Sequence, residues 1–263
     1  MRRKMLEKCG LAMYTVHRNA QKDLYRTLCG AAELGYRGIE FYGEQTYDLR
    51  LLETSLKDSG LVLTGWHVEW RDLQDDRFPQ TVGYLQAAGC PVAVIPCLGG
   101  RWNVGHGPKE ECREIWLRYI EEINRIARKL KAEGIRAGYH NHEHEFVLSY
   151  DGKTVFDLLF EGLSGDVMME LDTGNCIEGG GDPVRVLKRY RDRDVLLHLK
   201  PWSYERGFDV VLGDGDDAND WGGILDPDAQ NCRWLLVESE NASLPEMENA
   251  GLCMRGLKQY FNG

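Results

Sequence analysis

The sequence predicts a single (β/α)8 barrel over residues 1–263. Three observations lead to it. Eight strand-like apolar runs mostly alternate with helical segments, the number this barrel requires in a chain of about 250 residues. The runs are too apolar for an antiparallel sheet with one wet face, whose strands alternate apolar and polar residues. No G-x-G-x-x-G fingerprint follows the first run, so the main competitor, a doubly wound open sheet, lacks its phosphate-binding turn.

The first run, residues 9–16 (CGLAMYTV), mixes apolar residues with β-formers. Residues 19–34 then place Leu24, Leu28, Ala31 and Ala32 at helical spacing and stop at Gly35. Gly38–Tyr42 (GIEFY) is a short second strand carrying one carboxylate, Glu40. A helix over 48–59 gathers Leu49, Leu52 and Leu56 on one side and ends at Gly60. The unit repeats with a strand over 61–68, a helix over 76–88 stopped by Gly89, and a strand over 92–98. A longer helix, 108–133, opens with proline in its first turn and closes at Gly134. Strand five covers 135–139. After it come a helix over 154–161, a strand over 167–171, a helix over 183–190, a strand over 195–199, an eighth strand over 234–237 and a last helix over 245–261. No linker or low-complexity tract interrupts the series. Residues 201–231 are rich in glycine and aspartate and too long for an ordinary turn, which suits the mouth of an active site.

Composition narrows the class of function. A net charge of −10 argues against binding duplex nucleic acid, which calls for a basic face. No stretch approaches the roughly 18 consecutive apolar residues of a membrane span, and the basic leader MRRKMLEKCGLAMY has no apolar run long enough for a signal peptide. The eight cysteines form no CxxC pair, so they read as small buried hydrophobes in a reducing compartment rather than a zinc cluster. The expectation is a cytoplasmic protein with a small-molecule partner, no nucleic-acid or membrane partner, and self-association into a homo-oligomer left open.

The stretch 138–146, GYHNHEHEF, holds His140, His142 and His144 together with Glu143 and Glu145. Strand alternation would turn the three histidines to one face. Imidazoles and carboxylates gathered at a strand end suit a divalent metal or proton transfer, against the plainer reading of a solvated polar strand end. Other runs end in the same way: Glu40; His67 with Glu69; Asp172; His198 with Lys200; Glu238 with Glu240. In a barrel all of these face one mouth. His67, beside Trp66 and near Trp70, suits hydrogen bonding and stacking against a sugar, or else a packed core histidine. Glu40 suits a substrate hydroxyl, or a structural place at the rim. Trp102, Trp202 and Trp221 fall in loops at the same end and suggest an apolar lid, with Trp202 as a substrate contact. His17, His106 and His144 are assigned to the surface or loops. The glycines at 179, 180 and 181 read as a flexible turn rather than an anion cradle.

The ordered series Tyr139-His140-Asn141-His142 with Glu145-Phe146, Glu170-Leu171-Asp172, His198-Leu199-Lys200, Gly213-Asp214-Gly215 with Asp220-Trp221, then Trp234 and Val237-Glu238, resembles the xylose-isomerase-like TIM barrels, a superfamily of sugar phosphate isomerases and epimerases. The early run from Gly35 to Phe41 resembles them too, so the likeness covers nearly the whole chain. It implies a divalent cation, manganese foremost with magnesium, cobalt or zinc as alternatives, held by His140, Asp172, His198 and Glu238. Two departures stand out. The fifth strand commonly supplies glutamate where this chain has histidine, which leaves His140, His142 and Glu145 as competing ligands. Asn175 stands where a further histidine ligand is common, which argues against a multi-metal cluster. Two imidazoles and two carboxylates would leave a divalent ion nearly neutral with positions open for two substrate oxygens. The implied activity is isomerisation or epimerisation of a sugar, keto-sugar or cyclitol, by proton abstraction next to a carbonyl through a metal-stabilised enediolate. The runner-up is a lyase, such as an inosose dehydratase or an enzyme cleaving carbon-glycosides or 3-keto-glycosides. Glu238, Glu145 or His142 could be the base, and Lys200 could neutralise an oxyanion or sit in a surface ion pair. An AP-endonuclease-like nuclease would need more histidine ligands and a basic face, and a non-catalytic barrel would bind no metal.

Overall fold

Each run read as a strand pairs in parallel with two neighbours, and the pairing closes on itself. In the computed structural model, which describes residues 5–99, 112–226 and 231–262, the barrel strands are β1 (Cys9–Ala12), β2 (Gly38–Tyr42), β3 (Val62–His67), β4 (Val92–Ile95), β5 (Arg136–His140), β6 (Val167–Asp172), β7 (Asp194–Leu199) and β8 (Asn231–Val237). Their order round the barrel is β1-β8-β7-β6-β5-β4-β3-β2 and back to β1. Helices flank it, and the expected eight-stranded barrel is present. Among the described residues no helix is long and apolar enough to cross a membrane. No disulfide joins the cysteines among the described residues.

Alternation along the strands builds two apolar layers. Side chains such as Leu11, Ile39, Phe41, Trp66, Tyr139, Leu197 and Val237 turn outward and join the helices in one large core. The opposite side chains Val92, Val94, Met168, Leu196 and Leu236, with Trp234 against them, form a separate small cluster. That plug fills the lower barrel. Stepping two residues further along β6, β7 and β8 from Met168, Leu196 and Leu236 reaches Glu170, His198 and Glu238, so the polar site sits directly on the plug. Room for large groups is made by glycine: a Cβ on Gly38 would lie 2.7 Å from the Trp234 ring, and one on Gly65 2.8 Å from Glu40 Oε1.

Several boundaries differ from the sequence reading. The run 9–16 is strand only to Ala12, after which Met13–Val16 forms a 3-10 turn. The helix expected over 19–34 is two, His17–Lys22 and Leu24–Leu34, because Asp23 is extended and its side chain accepts from Arg26 N–H to cap the second. Strand β4 stops at Ile95, ahead of Pro96, which has no N–H for the ladder. The long fourth helix is described as Arg113–Ala132; Pro108 lies outside the described residues. A short helix, Thr173–Glu178, follows β6 where none was expected.

Candidate active site

Strand β5 ends at His140, so the alternation expected to carry three histidines to one side stops after the first. The chain then turns. Asn141 reaches across to β6, its Oδ1 accepting from Asp172 N–H at 2.9 Å and its Nδ2 donating to Asp172 O at 3.3 Å. His142 comes back toward the barrel mouth, its ring 5.2 Å from that of His140 and edge-on to it. His144 is not a surface residue: it opens the short helix His144–Val147, is buried, and its Nε2 donates to Leu98 O at 2.9 Å. Glu145 is wholly buried, with Oε1 accepting from the Tyr139 hydroxyl at 2.7 Å and Oε2 from His142 N–H at 2.8 Å.

His140, Asp172, His198 and Glu238 offer ligand atoms that all lie within 4.8 Å of one another. His198 Nδ1 is 2.7 Å from Glu238 Oε2, and His140 Nε2 is 3.8 Å from Asp172 Oδ2. Asp172 uses Oδ1 to cap Thr173–Glu178 through Asn175 N–H at 2.8 Å, whereas its buried Oδ2 has no hydrogen-bond partner. A buried carboxylate oxygen without a partner carries a desolvation cost of about 1–3 kcal/mol or more. An ion at that point would remove it, and the mixed imidazole and carboxylate donors suit a divalent cation. Lys200 is no surface ion pair. Its Nζ is buried 2.9 Å from Glu238 Oε1, 2.5 Å from Glu240 Oε1 and 3.6 Å from Asp172 Oδ2. Gly174 leaves space for it, since a Cβ there would lie 2.8 Å from Lys200 O.

Beneath these lie Glu40, His67 and Glu170. His198 Nε2 is 2.6 Å from Glu40 Oε2, His67 Nε2 is 2.6 Å from Glu170 Oε2 and 3.2 Å from Glu40 Oε2, and His140 Nδ1 is 3.0 Å from Glu170 Oε2. Burial and neighbouring charge sort the ionisable groups. Burial pushes Glu170 up to about 7, with the Glu40 charge adding to it, and pushes Asp172 up to about 7 against the pull of Lys200. Glu238 goes the other way: burial would raise it, but Lys200 and His198 hold it well below the usual carboxylate range. Burial would likewise lower His67, yet Glu170 and Glu40 raise it to about 10. His140 and His142 are held neutral well below the ordinary imidazole value, by burial first and then by His198 and by Lys200 respectively.

A cavity of about 260 Å³ opens above this cluster, bordered by Glu40, His67, His140, His142, His198, Lys200 and Glu238 and walled by Trp70, Tyr14, Tyr42 and Phe208. Asp172, Glu170 and Glu145 are not part of its lining. Nor is Trp202, which instead meets Tyr204 edge-on at 4.7 Å. Trp221 is buried, with Nε1 donating to Asp217 Oδ2 at 2.6 Å, so it braces the loop from within rather than capping the mouth. Trp102 and His106 lie outside the described residues. Sequence reasoning missed Glu170 and the role of Asn141. Glu170 was within reach, because it shares a strand face with Asp172 two residues on. The aromatic wall of Tyr14, Tyr42 and Phe208 had no signal, since each comes from a separate loop or strand end.

A protein-family model described as a xylose isomerase-like TIM barrel matches residues 30–260. An inosose dehydratase from Geobacillus kaustophilus is 26% identical over 249 residues, covering 82% of this chain and 79% of the relative. Among solved structures, a sugar phosphate isomerase/epimerase from Parabacteroides distasonis superposes with a TM-score of 0.72 at 22% identity, over 94% of this chain and 92% of that one. An L-ribulose 3-epimerase superposes with a TM-score of 0.67 at 17% identity, over 97% and 94%. At these identities the structural likeness speaks for the fold alone.

Proposed function

Because the chain belongs to the xylose isomerase-like TIM barrel family, we propose that it is a divalent-metal-dependent enzyme that takes a proton from the carbon next to a carbonyl in a sugar, keto-sugar or cyclitol, with isomerisation or epimerisation as the outcome. The observation that carries this reading is the meeting of His140, Asp172, His198 and Glu238 under an open cavity, with Asp172 Oδ2 lacking a hydrogen-bond partner. These four would hold the ion, with manganese the first choice and magnesium, cobalt or zinc the alternatives. When bound, such a cation supplies Lewis-acid stabilisation of charge that builds on adjacent substrate oxygens.

The remaining roles follow from position. His142 is the base in this reading, because its ring borders the cavity beside His140. Glu145 supports it, since its two oxygens are taken up by Tyr139 and by the His142 N–H. Glu238 is a ligand in this reading, because its carboxylate lies beside His198 at the cavity floor and Lys200 neutralises its charge. Lys200 places positive charge beside the cavity, where an oxyanion would form. Trp70 offers an apolar wall for the face of a sugar ring.

The inosose dehydratase relative favours a second reading, a lyase in which the same proton abstraction is followed by loss of a group from the β-carbon. One experiment tests both. The full chain loaded with manganese is incubated with keto-sugars and cyclitol ketones in deuterated water. Deuterium entering next to the carbonyl with an epimer or isomer as product supports the first reading, and an unsaturated product supports the second. Bound metal with no exchange on any such ketone overturns both.

A further inference from the structure

The two imidazoles of the proposed metal centre present opposite nitrogens to it. His140 turns Nε2 toward Asp172 Oδ2 and gives Nδ1 to Glu170 Oε2 at 3.0 Å. His198 turns Nδ1 toward Glu238 Oε2 and gives Nε2 to Glu40 Oε2 at 2.6 Å. For His140 only Nδ1 lies within hydrogen-bond distance of a carboxylate, so that nitrogen carries hydrogen and Nε2 keeps its lone pair, whereas both nitrogens of His198 lie that close to one. Glu170 therefore selects which nitrogen of His140 faces the centre, and Glu40 holds the orientation of the His198 ring. The two carboxylates are tied together by His67, whose Nε2 is 2.6 Å from Glu170 Oε2 and 3.2 Å from Glu40 Oε2. The His67 ring also stacks on His198, with centroids 5.4 Å apart and planes at 17°, and tilts against His140 at 4.8 Å.

Glu170 separates this arrangement from substrate binding. It is wholly buried, it does not border the cavity, and its hydrogen bonds run to the rings of His67 and His140. Below it lies the apolar plug of Met168 and Leu196.

We propose that Glu40, His67 and Glu170 are positioning residues that fix the tautomer of His140 and the ring orientations of His140 and His198, so that metal affinity depends on them. The inference rests on the metal reading above, and it moves Glu40 and His67 from the substrate contacts expected from sequence to supports of the ligands. Outer partners of ligating histidines change metal affinity by about 10- to 100-fold when removed.

The test strips the full chain with a chelator and titrates it with Mn2+ alone, following the dissociation constant, while Co2+ absorption reports ligand geometry. Glu170→Met and His67→Phe are expected to weaken Mn2+ binding by about 10- to 100-fold and to alter the Co2+ spectrum. Glu170→Gln keeps an oxygen acceptor for one ring and should recover part of the loss. Melting curves without metal identify variants that fail to fold, in which case Glu170→Gln and His67→Gln, both close in shape, carry the comparison. Unchanged Mn2+ affinity in folded Glu170 and His67 variants overturns the positioning role, and a raised KM with that result returns His67 to substrate contact. Wild-type protein that binds no divalent metal overturns the metal reading itself, and this inference with it.

Discussion

Asn141 locks the end of β5 onto the end of β6 through the backbone of Asp172, accepting from its N–H at 2.9 Å and donating to its carbonyl at 3.3 Å. Between two cavity-bordering histidines, the amide holds the neighbouring strand in register where the regular ladder ends. Both Asp172 backbone groups are buried, so a side chain without an amide strands a donor and an acceptor. Asn141→Leu is expected to cost about 2–6 kcal/mol, the sum of two such losses, in urea unfolding. Asn141→Asp would keep the acceptor but set a carboxylate against the Asp172 carbonyl, and should also destabilise. A Leu variant as stable as wild type would show that the clamp is dispensable.

Metal addition should act on stability through the same aspartate. Ion at about 100 times its dissociation constant stabilises the folded state by about 2.7 kcal/mol, seen as a higher Tm. Asp172→Asn separates this from fold integrity, because asparagine still caps Thr173–Glu178 as well as aspartate does. The expected outcome is a metal-free Tm close to wild type and little shift with Mn2+. Wild-type protein whose Tm ignores Mn2+, Co2+ and Zn2+ alike would count against a metal centre at this cluster.

How much of this was legible in the sequence turns on where strands end. Along β6 and β7 the period-two pattern runs unbroken from plug to site, so Asp172, His198 and Lys200 were correctly expected at one mouth. After His140 the chain leaves the sheet, and no pattern in GYHNHEHEF reveals that the second histidine returns to the cavity while the third turns into a helix. Trp202 was misplaced for a related reason. The loop after β7 folds on itself around Asp217, which accepts from Trp221 Nε1, Asn219 and the backbone N–H of Gly213. Lid or brace depends on those bonds, which composition does not encode. The break in the first helix was readable, since Asp23 has the chemistry of an N-cap within an apolar-periodic run.

Glu246 ties the last helix to the start of the chain and gives stability a pH dependence away from the site. Its Oε1 accepts from Arg18 Nε at 2.7 Å and from Arg18 N–H at 3.2 Å, and its Oε2 accepts from Asn19 N–H at 2.9 Å, serving the exposed donors of His17–Lys22. Burial would raise its pKa, but the Arg18 side chain and these backbone donors outweigh it and hold it below the ordinary value. Because the folded value is depressed, the stabilisation is fully present above the unfolded-state value of about 4.3 and is lost as pH falls through the folded one. Glu246→Gln should therefore destabilise most near neutral pH, and the gap to wild type should narrow toward about pH 3. Urea midpoints across that range check it; a gap that stays constant would assign the loss to packing alone.

The last prediction separates the base from its supports. His142 borders the cavity, while Glu145 is wholly buried and holds the segment by accepting from the His142 N–H, with His144 Nε2 3.5 Å from the same oxygen. Loss of a positioned general base costs about 10²–10⁴ in rate, whereas loss of an orienting hydrogen bond of about 1 kcal/mol costs less than about tenfold. His142→Ala should slow solvent deuterium exchange next to the ketone by the larger factor with Mn2+ affinity little changed. Glu145→Gln, which still offers an oxygen to the His142 N–H and an amide to Tyr139, should slow it by the smaller. The two factors reversed, with exchange surviving in His142→Ala and vanishing in Glu145→Gln, would move the base to Glu145 and require the 140–146 segment to rearrange when substrate binds.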